Sequence, residues 1–147
     1  MEGTLVAVVV IAVATVFGLV RRRLDGRLRV HRKGSAGVTG AADDGGGLEA
    51  ADLGADLGER ATLVQFSTAF CAPCRATRKI LGEIAGMIDG VAHVEIDAES
   101  RLDLVRRLDV LRTPTVLILD ARGRIVRRAA GQPRKADVIA ALGMVIQ

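Results

Sequence analysis

The 147-residue chain has no tryptophan, no tyrosine and only three phenylalanines, so any core has to be built from Val, Leu, Ile and Ala. Cysteine and histidine are scarcer still, at two each. A structural zinc site needs about four ligands, usually from a second Cys pair or two closely spaced His. His31 and His93 lie far apart and no second cluster exists, so a zinc centre is not expected. No internal repeat is visible, and residues 3–20 contain no charged residue at all.

The formal charge is +4, from 21 Lys/Arg against 17 Asp/Glu. Residues 21–33, "RRRLDGRLRVHRK", hold seven of those bases against the single acid Asp25, leaving the rest of the chain at −2. A nucleic-acid-binding domain carries its basic surface on the folded part. Here the positive charge is a collar in one place, so no nucleic-acid partner is expected.

The collar follows the uncharged run "GTLVAVVVIAVATVFGLV". Eighteen residues at about 1.5 Å each rise roughly 27 Å, just enough for a hydrocarbon core of about 30 Å. A cleaved signal peptide would begin with positive residues and have an apolar stretch of about 7–15 residues. Met1-Glu2-Gly3 offers no Lys or Arg, and the A-x-A at Ala12-Val13-Ala14 lies inside the run. The reading is a retained transmembrane anchor over residues 1–20. A basic juxtamembrane segment and flexible Gly-rich linker follow over 21–47, then a folded domain over 48–147. Basic residues flanking a span stay in the cytoplasm, so a single-pass membrane protein with a cytoplasmic domain is expected. The collar would also adhere to anionic headgroups, at about 1 kcal/mol per basic residue.

From Leu48 the composition turns globular. "LEAADLGADLGER" reads as a short strand and then a helical turn. "ATLVQFS" (61–67) has the length of a buried strand. From Cys71 to about Met87 apolar residues recur at helical spacing, at Ile80, Leu81, Ile84, Met87 and Ile88. "VAHVEID" (91–97) is a second strand. Residues 99–109 make a helix with Leu102, Val105 and Leu108 on one face and Ser100 and Asp103 in its first turn. "TVLIL" (115–119) is apolar throughout, as in a central strand buried on both faces. "DARG" turns the chain into "RIVRR" (124–128), a hairpin. Pro133 suits the first position of a last helix carrying Val138, Ile139, Leu142 and Val145. The order β-α-β-α-β-β-α predicts an α/β fold with helices layered on a mixed sheet of about four strands.

Both cysteines, Cys71 and Cys74, sit in "FCAPCR" (70–75). A structural staple is a poor explanation, because closing so short a loop constrains the unfolded chain very little. A redox couple has positive support. Cys71 lies at a helix start, where unpaired N–H groups and the macrodipole favour an anion. Such positions lower a cysteine's pKa from about 8.5 to between 3.5 and 7.5. Cys74 follows one turn later, close enough to attack a mixed disulfide at Cys71. Pro73 costs nothing in a first turn, where its missing N–H has no partner anyway. Arg75 and Arg78 add positive charge nearby.

Phe70-Cys71-Ala72-Pro73-Cys74-Arg75 after a hydrophobic strand, with Thr113-Pro114-Thr115 before another, resembles the thioredoxin family from about residue 61 to 145. Gly123 and Gly131 also match. The resemblance implies a thioredoxin-like fold in which Pro114 is cis and packs beside the active disulfide. It implies a substrate-binding surface of Phe70, Ala72, Pro73, Thr113 and Pro114, with Thr113 pairing with the substrate backbone. Phe70 stands where the family usually has Trp. Gln65 stands where it commonly has a buried Asp that helps deprotonate the resolving cysteine, and an amide cannot accept that proton. His93 falls near a Lys flanking that Asp. It is either an alternative base beside Gln65 or an ordinary strand histidine.

The function expected is a membrane-tethered thiol–disulfide oxidoreductase that reduces protein disulfides. Cys71 would be the nucleophile and Cys74 the resolver, with Gln65 and His93 as possible auxiliaries. No bound cofactor or metal is expected, since the cysteine pair carries the electrons. The partners implied are protein disulfide substrates, a reductase or dithiol donor, and the membrane through the N-terminal helix. One alternative is a non-catalytic docking or redox-sensing module. The other is an extracytoplasmic exchange protein with the opposite topology.

Overall fold

The computed structural model describes residues 2–24, 29–30 and 47–147. In chain order the elements are α1 (Glu2–Leu24), β1 (Arg29–Val30), α2 (Ala50–Leu53), β2 (Ala61–Ser67), α3 (Ala72–Met87), β3 (Val91–Asp97), α4 (Leu102–Arg107), β4 (Thr115–Asp120), β5 (Ile125–Ala130) and α5 (Lys135–Val145). The sheet order is β1-β5-β4-β2-β3. β2 runs parallel to β3, with Gln65 opposite Glu95, and antiparallel to β4. The β4–β5 pair is antiparallel, as expected of a hairpin.

The four long strands are those expected from the sequence. The fifth, β1, is a two-residue edge pairing Arg29 with Arg128 and Val30 with Arg127. It comes from the segment read as a basic collar. Of the segment expected over 21–47, only residues 21–24, 29–30 and 47 lie within the described residues.

β2 is buried at every position and β4 at all but its last. Apolar layers cover both faces, which is why these two strands read as continuous apolar runs rather than alternating ones. On one face Leu63 and Ile118 meet Leu81 and Ile84 of α3 and Val138 and Leu142 of α5. On the other, Val64, Phe66 and Leu117 meet Leu53 of α2 and Leu104 of α4.

Several local expectations shift. No strand forms between residues 48 and 60. Instead Glu49 and Asp52 form a reciprocal capping box, which commits that stretch to the single turn α2. Helix α4 starts only at Leu102, because the Ser100 hydroxyl donates to the Asp97 carbonyl and holds a turn before it. The buried residue of α4 is therefore Leu104, and Leu102 faces solvent. Pro133 precedes the N-cap Arg134 rather than opening α5.

The membrane expectation is corrected. Among the described residues, no helix is long and apolar enough to cross a membrane. The strongly apolar part of α1, Leu5–Val20, rises about 24 Å and falls short of a core of about 30 Å. Glu2 lies at one end of the helix and Arg21 to Arg23 at the other. The single-pass topology, the membrane partner and the cytoplasmic placement inferred from the flanking arginines all rested on that anchor, and they fall with it.

Gly123 closes the β4–β5 turn at φ +78°, and a Cβ there would stand 2.1 Å from the Leu48 carbonyl oxygen. Gly82, inside α3, has nothing within 4 Å of its Cβ position. The two should respond to alanine with opposite signs. Gly123→Ala is expected to cost at least about 1–2 kcal/mol, from the left-handed backbone alone. Gly82→Ala is expected to stabilise by about 0.5–1 kcal/mol. Urea unfolding midpoints measure both.

Candidate active site

β2 delivers the chain into the site. After Ser67 a short turn, closed by Cys71 N–H donating to the Thr68 carbonyl (3.4 Å), places Cys71 as the N-cap of α3. Cys71 and Cys74 form a disulfide, with an S–S distance of 2.08 Å and a Cα–Cα distance of 5.2 Å. The Cys74 N–H also donates to the Cys71 sulfur at 3.2 Å. Pro73 occupies the first turn of α3, as expected. The two sulfurs differ in access: Cys71 is half-buried, while Cys74 is 1% exposed.

The Thr113–Pro114 peptide is cis, and Pro114 is buried. Thr113 Oγ1 lies 3.3 Å from Thr68 Oγ1, which joins this loop to the turn preceding Cys71. Phe70 stands almost wholly in solvent, at 98% exposure, beside the half-buried Cys71.

Gln65 is completely buried. Its Nε2 donates to the Cys74 carbonyl (2.8 Å) and to Ser67 Oγ (3.1 Å), and its Oε1 lies 3.3 Å from His93 Nε2. These contacts settle the protons. A carbonyl only accepts, so the amide nitrogen must face Cys74, and the amide oxygen then faces His93. That oxygen only accepts too, so His93 Nε2 carries a proton. The nitrogen that His93 turns towards the site is a donor, and it cannot take a proton from that side. Burial pushes the His93 pKa below its ordinary 6.5, with Arg78 acting the same way and Glu95 against them.

The polar chain continues outward. Ser67 Oγ donates to Glu95 Oε1 at 2.5 Å, and the Arg78 guanidinium grips Glu95 with two bonds of 2.5 and 2.7 Å. Arg78 holds the Glu95 carboxyl below its ordinary range, with burial opposing and the Ser67 hydroxyl helping. A groove of about 390 Å³ opens beside this chain, and both cysteines line it together with Ser67, Arg75, Arg78 and Glu95.

Sequence reading placed the cysteines, Pro114, Gln65 and His93, but it missed Ser67 and Glu95 and left Arg78 as a bare charge. The signal was present. Gln65 and Ser67 are two apart on β2, and His93 and Glu95 two apart on β3, so each pair shares a face.

Fold and site together define a class: α/β proteins with a cysteine couple at a helix N-terminus beside a cis-proline loop. The Thioredoxin family model matches residues 51–143. Thioredoxin of Alicyclobacillus acidocaldarius is 31% identical over 91 residues, covering 61% of this chain and 86% of that protein. Human thioredoxin domain-containing protein 2 is 32% identical over 60 residues, or 41% of this chain, but the match spans only 11% of that longer protein. A mutant thioredoxin from Halobacterium salinarum superposes with a TM-score of 0.56 at 18% identity, covering 60% of this chain and 77% of that one. The chain belongs to the thioredoxin family.

The lowered His93 pKa predicts a pH effect on stability. The unfolded chain protonates this histidine near 6.5, while the folded chain resists. Stability should therefore fall as pH drops from about 7 through that value towards the lower folded one. His93→Gln, which keeps a donor for Gln65, is expected to flatten the dependence in that window. Urea unfolding at pH 7.5, 6.5 and 5.5 checks it. The depressed carboxylates contribute only lower, through the acid range below about 4.5.

Proposed function

We propose that this chain reduces disulfides in partner proteins, with Cys71 as the attacking sulfur and Cys74 as the resolving one. The observation that carries the reading is the unequal access of the two sulfurs. Only Cys71 is open to an incoming disulfide, and Cys74 sits behind it within bonding distance. In the dithiol form the Cys74 N–H and the start of α3 would favour a thiolate at Cys71. That thiolate attacks a substrate disulfide and forms a mixed disulfide. Cys74 then displaces the substrate thiolate and leaves the intramolecular disulfide seen here. A reductase or small dithiol returns the pair to the reduced form.

Phe70, Ala72, Pro73, Thr113 and Pro114 are proposed as the protein-substrate surface. Their support is the exposure of Phe70 and the tie between Thr113 and the turn before Cys71. A second reading, a docking module whose cysteines only report redox state, draws on Gln65, a buried amide that cannot titrate. Mixed-disulfide trapping separates the two.

The test is reduction of a protein disulfide such as insulin, with dithiothreitol as donor. Wild-type chain is expected to accelerate it, and Cys71→Ser to fall to the uncatalysed rate. Cys74→Ser should retain covalently bound substrates that a reductant releases. Equal inactivity of wild type and Cys71→Ser, with nothing trapped, would sink the enzymatic reading.

A further inference from the structure

We propose that Ser67 and Glu95 carry the proton of Cys74 away during the resolving step, which rests on the order of attack proposed above. Cys74 must lose a proton to become a nucleophile, and it is almost wholly buried. The buried groups linked to its carbonyl, Gln65 directly and His93 through Gln65, are closed to that proton. Gln65 is an amide aimed nitrogen-first at the Cys74 carbonyl, and His93 presents an N–H to Gln65. Among the groups that line the groove with Cys74, the Ser67 hydroxyl is the one held by the Gln65 nitrogen that also binds Cys74.

The polarity of the Ser67 bonds fits this role. A hydroxyl has one donor and two acceptor positions. The donor is already turned outward, to Glu95 Oε1, and one acceptor position is taken by Gln65 Nε2. The second acceptor position takes no bond from another described residue, and it is the one that the Cys74 S–H of the dithiol form would use. In the step, that proton passes to Ser67 Oγ as the hydroxyl's own proton passes to Glu95. The Cys74 thiolate attacks the Cys71 sulfur, and the Cys71–substrate S–S bond breaks. The substrate sulfur leaves with the bonding pair and is reduced, while the two cysteines are oxidised. Glu95, kept acidic by Arg78, cannot retain the proton and yields it to the departing thiolate in the groove.

The charged groups facing Glu95 are Arg78 from α3 and His93 from its own strand, with Arg75 and Asp97 also on the groove walls. Glu95 has to be ionised to accept, so resolution should fail as pH drops through its pKa. Removing Arg78 should move that acid limb to higher pH.

The test separates attack from resolution. Full-length reduced chain is mixed with a peptide disulfide and quenched at intervals with acid. Loss of peptide disulfide reports attack by Cys71, and the mixed disulfide, counted by mass spectrometry, reports resolution. Ser67→Ala and Glu95→Gln are expected to slow resolution by about tenfold or more, the low end of what positioned proton transfer contributes, so that mixed disulfide accumulates. Ser67→Thr, which keeps the hydroxyl, is expected to restore it. The acid limb should vanish in Glu95→Gln and shift upward in Arg78→Ala. Wild-type resolution rates in Ser67→Ala and Glu95→Gln, or an acid limb that survives in Glu95→Gln, would overturn the relay. The same would follow if Asp97→Asn alone caused the slowing. No attack by wild type would instead defeat the enzymatic reading itself.

Discussion

Between Ser67, the last residue of β2, and Ala72, the first of α3, the chain has four residues in which to leave the sheet and start a helix. That short exit is the constraint on which the site depends. β2 is buried on both faces, so α3 has to lie back on the sheet and present one apolar stripe to it. The stripe is Cys74, Thr77, Leu81 and Ile84, at the three- and four-residue spacing of a helix face. Burial of Cys74 is thus the first step of the periodicity that packs the whole helix. Cys71, one residue outside the helix, stays half-exposed as its cap. Inner and outer sulfurs are a product of helix packing, and the chemistry exploits a difference in access that folding creates.

The same geometry explains why polar residues survive beneath the disulfide. Gln65 and Thr77 are both completely buried, yet no buried side-chain nitrogen or oxygen among the described residues lacks a partner. A buried amide is tolerated when its hydrogen-bonding capacity is met. Gln65 meets it through Cys74, Ser67 and His93 together, and Thr77 through the Pro73 carbonyl at 2.9 Å. The Gln65 bond to the Cys74 carbonyl runs from β2 into the first turn of α3. It ties the turn that carries the sulfurs to the sheet through atoms that are not part of the disulfide.

Much of this was legible in the residues, for identifiable reasons. Strands 61–67 and 115–119 are apolar throughout, a pattern that only double burial makes stable, and the Cys-x-x-Cys motif falls where helical spacing begins. The losses were of another kind. Leu102 looked like a core residue because the helix was started too early; the Ser100 turn that delays it is a local competition between a side chain and the backbone. Residues 3–20 looked long enough for a bilayer when Gly3 and Thr4 were counted with the apolar run that follows them. The Gln65–Ser67–Glu95–Arg78 chain was out of reach because it depends on the parallel register of β2 and β3, which sets Gln65 opposite Glu95. Register belongs to tertiary structure, and neither strand states it alone.

The amide at position 65 also decides where charge can reside. The Cys74 carbonyl and the Ser67 oxygen both take a hydrogen bond from Gln65 Nε2, so the pocket is built for a donor. An ionised carboxylate there would turn lone pairs towards the Cys74 carbonyl and would carry the desolvation cost of a fully buried charge. A neutral acid at 65 would fit, but only while it kept its proton. This chain avoids both conditions by moving the ionisable group outward to Glu95, where the Arg78 guanidinium and the Ser67 hydroxyl stabilise its charge and the groove keeps it near solvent. The floor under the cysteines is therefore neutral, and the titrating group stands at its edge. With every buried polar atom of that network partnered, the first turn of α3 is held to the sheet by neutral hydrogen bonds, and the charge stays at the groove.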